Sequence, residues 1–368
     1  MFAKLFWVIF VSAGGAEDVF PAQATIRYAQ GFTIEYKENY KVMTVLNPWK
    51  GAEARYQYLL VQRGTPPPAG YDGVPRIEVP VHSMITMSTT HLAYLDQLEL
   101  LDTLVGYSTF KYINNPHVLQ RIAAGNLKEV GAGQNVNVEL IMDLNPEVII
   151  TYALGSPADE YFKLREAKLK VVLNGEYMET TPLGRCEWIK FLAAFFNKER
   201  EAETIFNATA AAYEEMTARA KGITAKPTVF LNAPFNGEWW IPGNNTYLVK
   251  FLQDAGAVYL WADDPSTGSS IIAFEAIYEK AADADYWLHP GQVHSLKELL
   301  AGDERVAQFK AFQQGNIYNN NARVNASGGN DYWESGLARP DIVLADLIKI
   351  FHPELLPKHE LVYYKQLK

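Results

Sequence analysis

Two glutamates stand in matching surroundings: Glu139 lies nine positions before Val148, and Glu275 lies eleven before Tyr286. Each is read as sitting in the first turn of a short helix that feeds a strand, where the helix dipole favours a carboxylate. Two exposed acids, one in each half of the chain, also make a two-point anchor for a symmetric basic partner. The histidines, His82, His91, His117, His289, His294, His352 and His359, show no paired metal spacing; His91 and His289 are the pair that can meet across a cleft with carboxylates as zinc or manganese ligands. There is no Gly-x-Ser-x-Gly, no His-Glu-x-x-His and no phosphate loop. These absences leave a two-lobed hydrolase possible but unsupported, and a binding protein that is not an enzyme is the class to weigh against it. Aromatic pairs at Trp239-Trp240 and Tyr332-Trp333 offer flat faces for a macrocycle or chelate. Arg185 and Arg323 offer charge to an anionic one. Arg185 has a second reading, a surface pair with Glu187 or Glu179, and the Trp239-Trp240 pair reads as one ring in the core and one half exposed.

The elements that must position these groups are α/β in pattern. The chain has 368 residues, 48% hydrophobic and 20% charged, enough to bury a large core in two lobes. A net charge of −9 without a basic run excludes a nucleic-acid backbone as partner. The single cysteine, Cys186, rules out an internal disulfide and four-cysteine zinc sites. Lys4, the apolar run Leu5 to Val11 and Ala22-Gln23-Ala24 predict an export signal over residues 1–24, cut before about Thr25. That places the mature chain in the periplasm or outside the cell, with no stable membrane insertion.

Residues 25–80 alternate with period two, at Phe32–Tyr36, Tyr40–Leu46 and Tyr56–Gln62, and predict a small antiparallel β extension. Residues 81–183 alternate strands and helices, and residues 226–368 repeat the alternation. Such patterns give parallel, doubly wound sheets covered on both faces, with ligands beyond the carboxyl ends of the strands. In the first lobe, Ser88 to His91, Ser108 to Tyr112 and Tyr152 to Ser156 fall at those ends. Between the lobes, residues 184–225 hold one long amphipathic helix, Lys198 to Lys221, with apolar residues at Ala202, Ile205, Phe206, Ala212, Tyr213 and Met216. Gly222 and Pro227 end it.

The order of Gly131 to Ile150, Phe274 to Leu288 and the closing Ala338-Arg-Pro-Asp to Pro353 resembles the class III solute-binding proteins of ABC importers, the family of the cobalamin- and ferric siderophore-binding proteins. The likeness covers about Val79 to Leu356. It implies two lobes joined by one rigid helix, a ligand held between them, and a glutamate on each lobe, here Glu139 and Glu275, docking onto arginines of a permease dimer. It places first-lobe ligand contacts at Thr89, Thr90, His91 and Phe110, and second-lobe contacts near Asp331 to Glu334, including Tyr332 and Trp333; Tyr152, Arg185, Trp239 and Arg323 complete the expected site. Ala132-Gly133 and Ser269-Ser270 stand where the cobalamin binders carry tryptophans. The expected ligand is therefore an iron complex of the siderophore type, with haem or cobalamin as the alternative, and no resident cofactor.

Overall fold

A computed structural model describes residues Val19–Lys368 and gives two α/β lobes, a long helix between them and an N-terminal sheet. The N-terminal sheet runs β1 (Phe32–Tyr36), β2 (Tyr40–Val45), β3 (Tyr56–Gln62) and β4 (Arg76–Val79), in that order. The first three strands pair antiparallel, as their alternation predicts, whereas β4 joins β3 in parallel. The parallel edge follows from the long crossover through Thr65-Pro66-Pro67-Pro68, since a tight hairpin cannot return a parallel strand.

The first lobe holds β5 (Met84–Thr86), β6 (Leu104–Tyr107), β7 (Lys128–Glu129), β8 (Val148–Thr151) and β9 (Val171–Leu173) in one all-parallel sheet of order β7-β6-β5-β8-β9. The second lobe holds β10 (Thr228–Leu231), β11 (Trp239–Pro242), β12 (Val258–Tyr259), β13 (Ser269–Ile272), β14 (Tyr286–Leu288), β15 (Ile317–Asn319) and β16 (Lys365–Gln366). Five of these form the sheet β12-β10-β14-β15-β16, parallel except for β16 at the edge. Strands β11 and β13 make a separate antiparallel ribbon; the stretch Ser269 to Ile272 is a strand because Trp239 and Trp240 supply its partner across Ile272 and Ile271.

The connecting helix spans Glu199–Ala220, within one residue at each end of its predicted bounds. It packs on the helices Ile189–Ala194 and Pro340–Phe351. One hydrophobic core runs unbroken from the N-terminal sheet (Phe32, Met43, Tyr58) through the connector (Trp188, Phe206) to the second lobe (Phe230, Trp287, Leu344). A second core lies on the other face of the first-lobe sheet.

Most of the expected export signal lies outside the described residues. The described part of it is folded in: Phe20 is buried with the Lys41 ammonium 4.5 Å from its ring centroid, and Ala24 donates its N–H to the Tyr36 hydroxyl at 3.0 Å. Thr25, just past the expected cut, donates its N–H to Glu203 Oε1 at 2.7 Å while its carbonyl accepts from Lys190 at 2.6 Å. Among the described residues no helix is long and apolar enough to cross a membrane.

Candidate functional site

The carboxyl ends of both parallel sheets open into one space. From the first lobe come Met87 and Ser88 after β5, Tyr107 and Ser108 at the end of β6, and Tyr152 after β8. From the second come Asn232 after β10, His289 after β14 and Asn319 to Asn321 at the end of β15. Together they enclose a cavity of about 860 Å³ between the lobes. Position beyond strand ends is where the backbone of an open α/β sheet leaves room for a ligand.

Of the residues expected to bind ligand, Thr89, Tyr152 and Trp333 line this cavity. Trp333 is 41% exposed and stands edge-on to Tyr332, with ring centroids 4.8 Å apart. The others are placed elsewhere, each for a physical reason. Thr90 is buried in the first turn of the helix Thr89–Gln97, its hydroxyl bonded to that of Ser88, the residue that caps the helix. His91, one turn in, points back into the core and bonds to the Thr86 hydroxyl; full burial lowers its pKa to about 3, so the ring is neutral. Phe110 is half-buried against the core, although Thr109, Lys111 and Tyr112 around it do reach the cavity.

Arg185 is not in the cleft, nor paired with Glu187 or Glu179. Its Nε and Nη2 both donate to Glu176 Oε2, at 2.8 and 2.7 Å, and its guanidinium lies over the Tyr247 ring. Burial is the reason: a buried guanidinium needs a buried carboxylate. Trp239 is a core residue, stacked on Trp287 at 5.6 Å, and its partner Trp240 is the exposed one. Arg323 pairs with Asp331 at 2.9 Å and does not line the cavity. Tyr332 is buried behind Trp333. His289 reaches the cavity wall, but its Nε2 is bonded to the Tyr364 hydroxyl at 2.6 Å and burial lowers its pKa to about 3. The two histidines thus do not form a metal pair, and among the described residues no group of three or more His, Cys, Asp or Glu is placed to hold a metal ion.

The cavity wall mixes aromatic and apolar faces with neutral polar groups. Among the described residues Lys111 is its single fixed charge, beside the carboxamides of Asn232, Gln292, Asn320, Asn321 and Asn330. Sequence reasoning missed this carboxamide wall. The run Asn319-Asn320-Asn321 at the end of a strand was the signal that marks it, since strand ends were already the expected place for contacts.

A loop of the second lobe ties the two halves together beside the cavity. Glu334, 1% exposed, accepts the backbone N–H groups of Asn114 and Asn115 at 2.7 and 3.0 Å. Asn325 Nδ2 donates to the carbonyls of Lys111 and Ile113 at 3.2 and 3.0 Å. Gly329 permits this approach: a Cβ there would lie 2.4 Å from the Tyr112 carbonyl oxygen. Burial pushes the Glu334 carboxyl up to about 7, against the pull of the two N–H donors. A folded pKa above the unfolded value means that the folded state holds its proton more firmly, so Glu334 lowers stability progressively as pH rises from about 4.3 to about 7, with no further change above. His91 and His289, with depressed pKa values, act with the opposite sign and lose stability as pH falls below about 6.5. The melting temperature of Glu334→Gln minus that of the wild type should therefore rise between pH 5 and pH 7.5. A difference independent of pH in calorimetric scans would show that Glu334 does not titrate in this range.

Glu139 and Glu275 both lie in the first turns of their helices, Val138–Leu144 and Phe274–Ala281, and both are exposed. Glu275 carries an exposed pair with Arg305 at 3.1 Å.

A family model described as a periplasmic binding protein matches residues 85–324 of this chain. An uncharacterized lipoprotein of Methanocaldococcus jannaschii is 30% identical over 359 residues, covering 89% of this chain and 82% of that protein. Among solved structures, a possible iron-binding (periplasmic solute-binding) protein from Staphylococcus epidermidis matches with a TM-score of 0.58 at 16% identity, over 74% of this chain and 98% of that one. A periplasmic heme-binding protein from Pseudomonas aeruginosa matches with a TM-score of 0.58 at 19% identity, over 78% of this chain and 98% of that one. At these identities the two structures speak to the fold alone.

Proposed function

The chain belongs to the periplasmic binding protein family, and on that premise we propose that it captures a metal complex of low net charge between its lobes and delivers it to an ABC importer. The family is one of small-molecule binders that serve ABC transporters, not of enzymes. The observation that carries the ligand class is the wall of the interlobe cavity: carboxamides, hydroxyls and the face of Trp333, with Lys111 as the single fixed charge. A highly anionic catechol chelate needs arginines, and both candidate arginines are engaged elsewhere. An iron complex of the hydroxamate type, close to neutral, meets neutral donors and acceptors instead. Haem and cobalamin are the second reading; the names of a possible iron-binding protein and of a heme-binding protein among the structural neighbours support an iron complex and haem.

Docking of Glu139 and Glu275 onto a permease dimer belongs to the same proposal, as does export. The burial of Phe20 supports processing upstream of that residue instead of before Thr25.

The test is a tryptophan-quenching titration with ferrioxamine, haemin and cyanocobalamin. Trp333→Ala should weaken the ligand that binds by about 1 to 3 kcal/mol, with thermal melting unchanged because the ring is partly exposed. Unchanged affinity in the variant would move the site away from this cavity.

A further inference from the structure

We propose that the ligand site has a second chamber, built in part by the N-terminal extension, and that this chamber takes a singly anionic arm of the bound solute. The inference rests on the binding-protein reading above. A cavity of about 560 Å³ adjoins the first, with Trp333 and Leu248 lining both. Its extension side is Gln30, Gly31, Asn47 and Lys50, and its second-lobe side includes Asn245 and Thr246. The family match begins at residue 85, so this wall comes from a part of the chain that precedes it.

Two charged side chains line the chamber, Lys50 and Glu179. Glu179 is already engaged: its oxygens accept the backbone N–H groups of Gln30 and Gly31 at 2.9 and 2.8 Å and the Trp188 indole N–H at 3.0 Å. The Lys50 ammonium has no ion pair or hydrogen bond among the described residues, and it lies against the second lobe, 3.0 Å from where a Cβ on Gly268 would stand. Glu179 is buried and its carboxylate is taken up by those hydrogen bonds, so Lys50 is the charged group of the lining left to meet a ligand. Around it, Asn47, Asn245, Thr246 and Tyr177 supply neutral donors and acceptors. A carboxylate or phosphodiester on a flexible arm satisfies that set, while the body of the solute stays in the first chamber beside Trp333. The wall is also fixed in place. The backbone N–H groups of residues 27–31 are held by Glu187 and Glu179, and the turn that carries Lys50 is tied to them and to the first lobe: Leu46 donates its N–H to the Gly31 carbonyl at 2.7 Å and the Tyr177 hydroxyl donates to the Pro48 carbonyl at 3.3 Å.

The experiment uses the full chain and two pairs of probes, the members of each pair differing by an anionic arm: ferric N-succinyl- against N-acetyl-ferrioxamine B, and cyanocobalamin against dicyanocobinamide. Lys50→Ala should weaken the arm-bearing member of the pair that binds by about three- to tenfold, with Lys50→Glu weakening it further, and leave the armless member within twofold. Lys37→Ala, a lysine of the same extension that pairs with Glu35 at 3.3 Å, should change neither. Equal weakening of both members would show that Lys50 acts only as general surface charge and would overturn the arm assignment. No change in either member would overturn the chamber itself. If the wild type binds none of the four probes, the ligand class proposed above fails, and the chamber fails with it.

Discussion

Reversing charge at both Glu139 and Glu275 is expected to abolish permease-dependent uptake while leaving ligand affinity and thermal melting close to wild type. Each residue is exposed in the first turn of a helix, one per lobe, and the lobes share one continuous core through the connector. The two charges are therefore held at a set separation, which a symmetric basic partner can read as register. Exposed rim charges act mainly on encounter and orientation, so single reversals should show their defect most strongly at low ionic strength. The matched control is Asp143→Lys with Glu279→Lys, exposed acids near the other ends of the same two helices, which changes net charge equally. Pull-down of detergent-solubilised permease and uptake in a complemented strain are the measurements. Normal transport by the Glu139/Glu275 double variant, or an equal defect in the control, would reduce both glutamates to ordinary helix-start acids.

Glu187→Ala is expected to cost about 3 to 5 kcal/mol of folding stability, the range for removing one partner of a buried ion pair. Glu187 is fully buried and its carboxylate receives three consecutive backbone N–H groups, from Arg27, Tyr28 and Ala29, at 3.0, 2.6 and 2.8 Å. It also pairs with the fully buried Lys190 at 2.9 Å. Removal strands those donors and leaves Lys190 with Glu203 and the Thr25 carbonyl as its remaining anchors. Asp346 plays the same part near the other end of the chain, accepting the N–H groups of Val362, Tyr363 and Tyr364 at 3.0, 2.7 and 3.1 Å and bonding to His359. Urea denaturation gives the stability change, and limited proteolysis should show new cuts within residues 25–31. A loss below about 1 kcal/mol would mean that water replaces the carboxylate readily and that this segment is not locked by it.

The elements were legible where one local rule governed them. The connector's apolar spacing from Ala202 to Met216 gave a helix correct to a residue at each end, because 3.6-residue periodicity over six turns has no competing explanation. Thr181-Pro182 acts as locally, with Pro182 opening the helix Pro182–Cys186 and the Thr181 hydroxyl accepting the Gly184 N–H. Short strands read less well. Ser269 to Ile272 has no pattern of its own and becomes a strand through pairing with Trp239 to Pro242, a contact between segments some thirty residues apart.

The amino-acid sequence by itself determined the α/β class, the two lobes with their helical connector, and the placement of Glu139 and Glu275, because period, caps and turn residues act over a few neighbours. It also pointed to the strand ends, which border the interlobe cavity. Which side chains at those ends do so was decided by the tertiary structure alone. His91 and Thr89 lie two positions apart, yet one faces the core and the other the cavity, since the face a helix residue presents depends on what packs against that helix. The arginines carry the same lesson: Arg185 is committed to Glu176, nine residues away, and Arg323 to Asp331. A charged side chain takes the partner that folding brings within reach, and desolvation makes a buried choice binding, so no spacing in the sequence announces it.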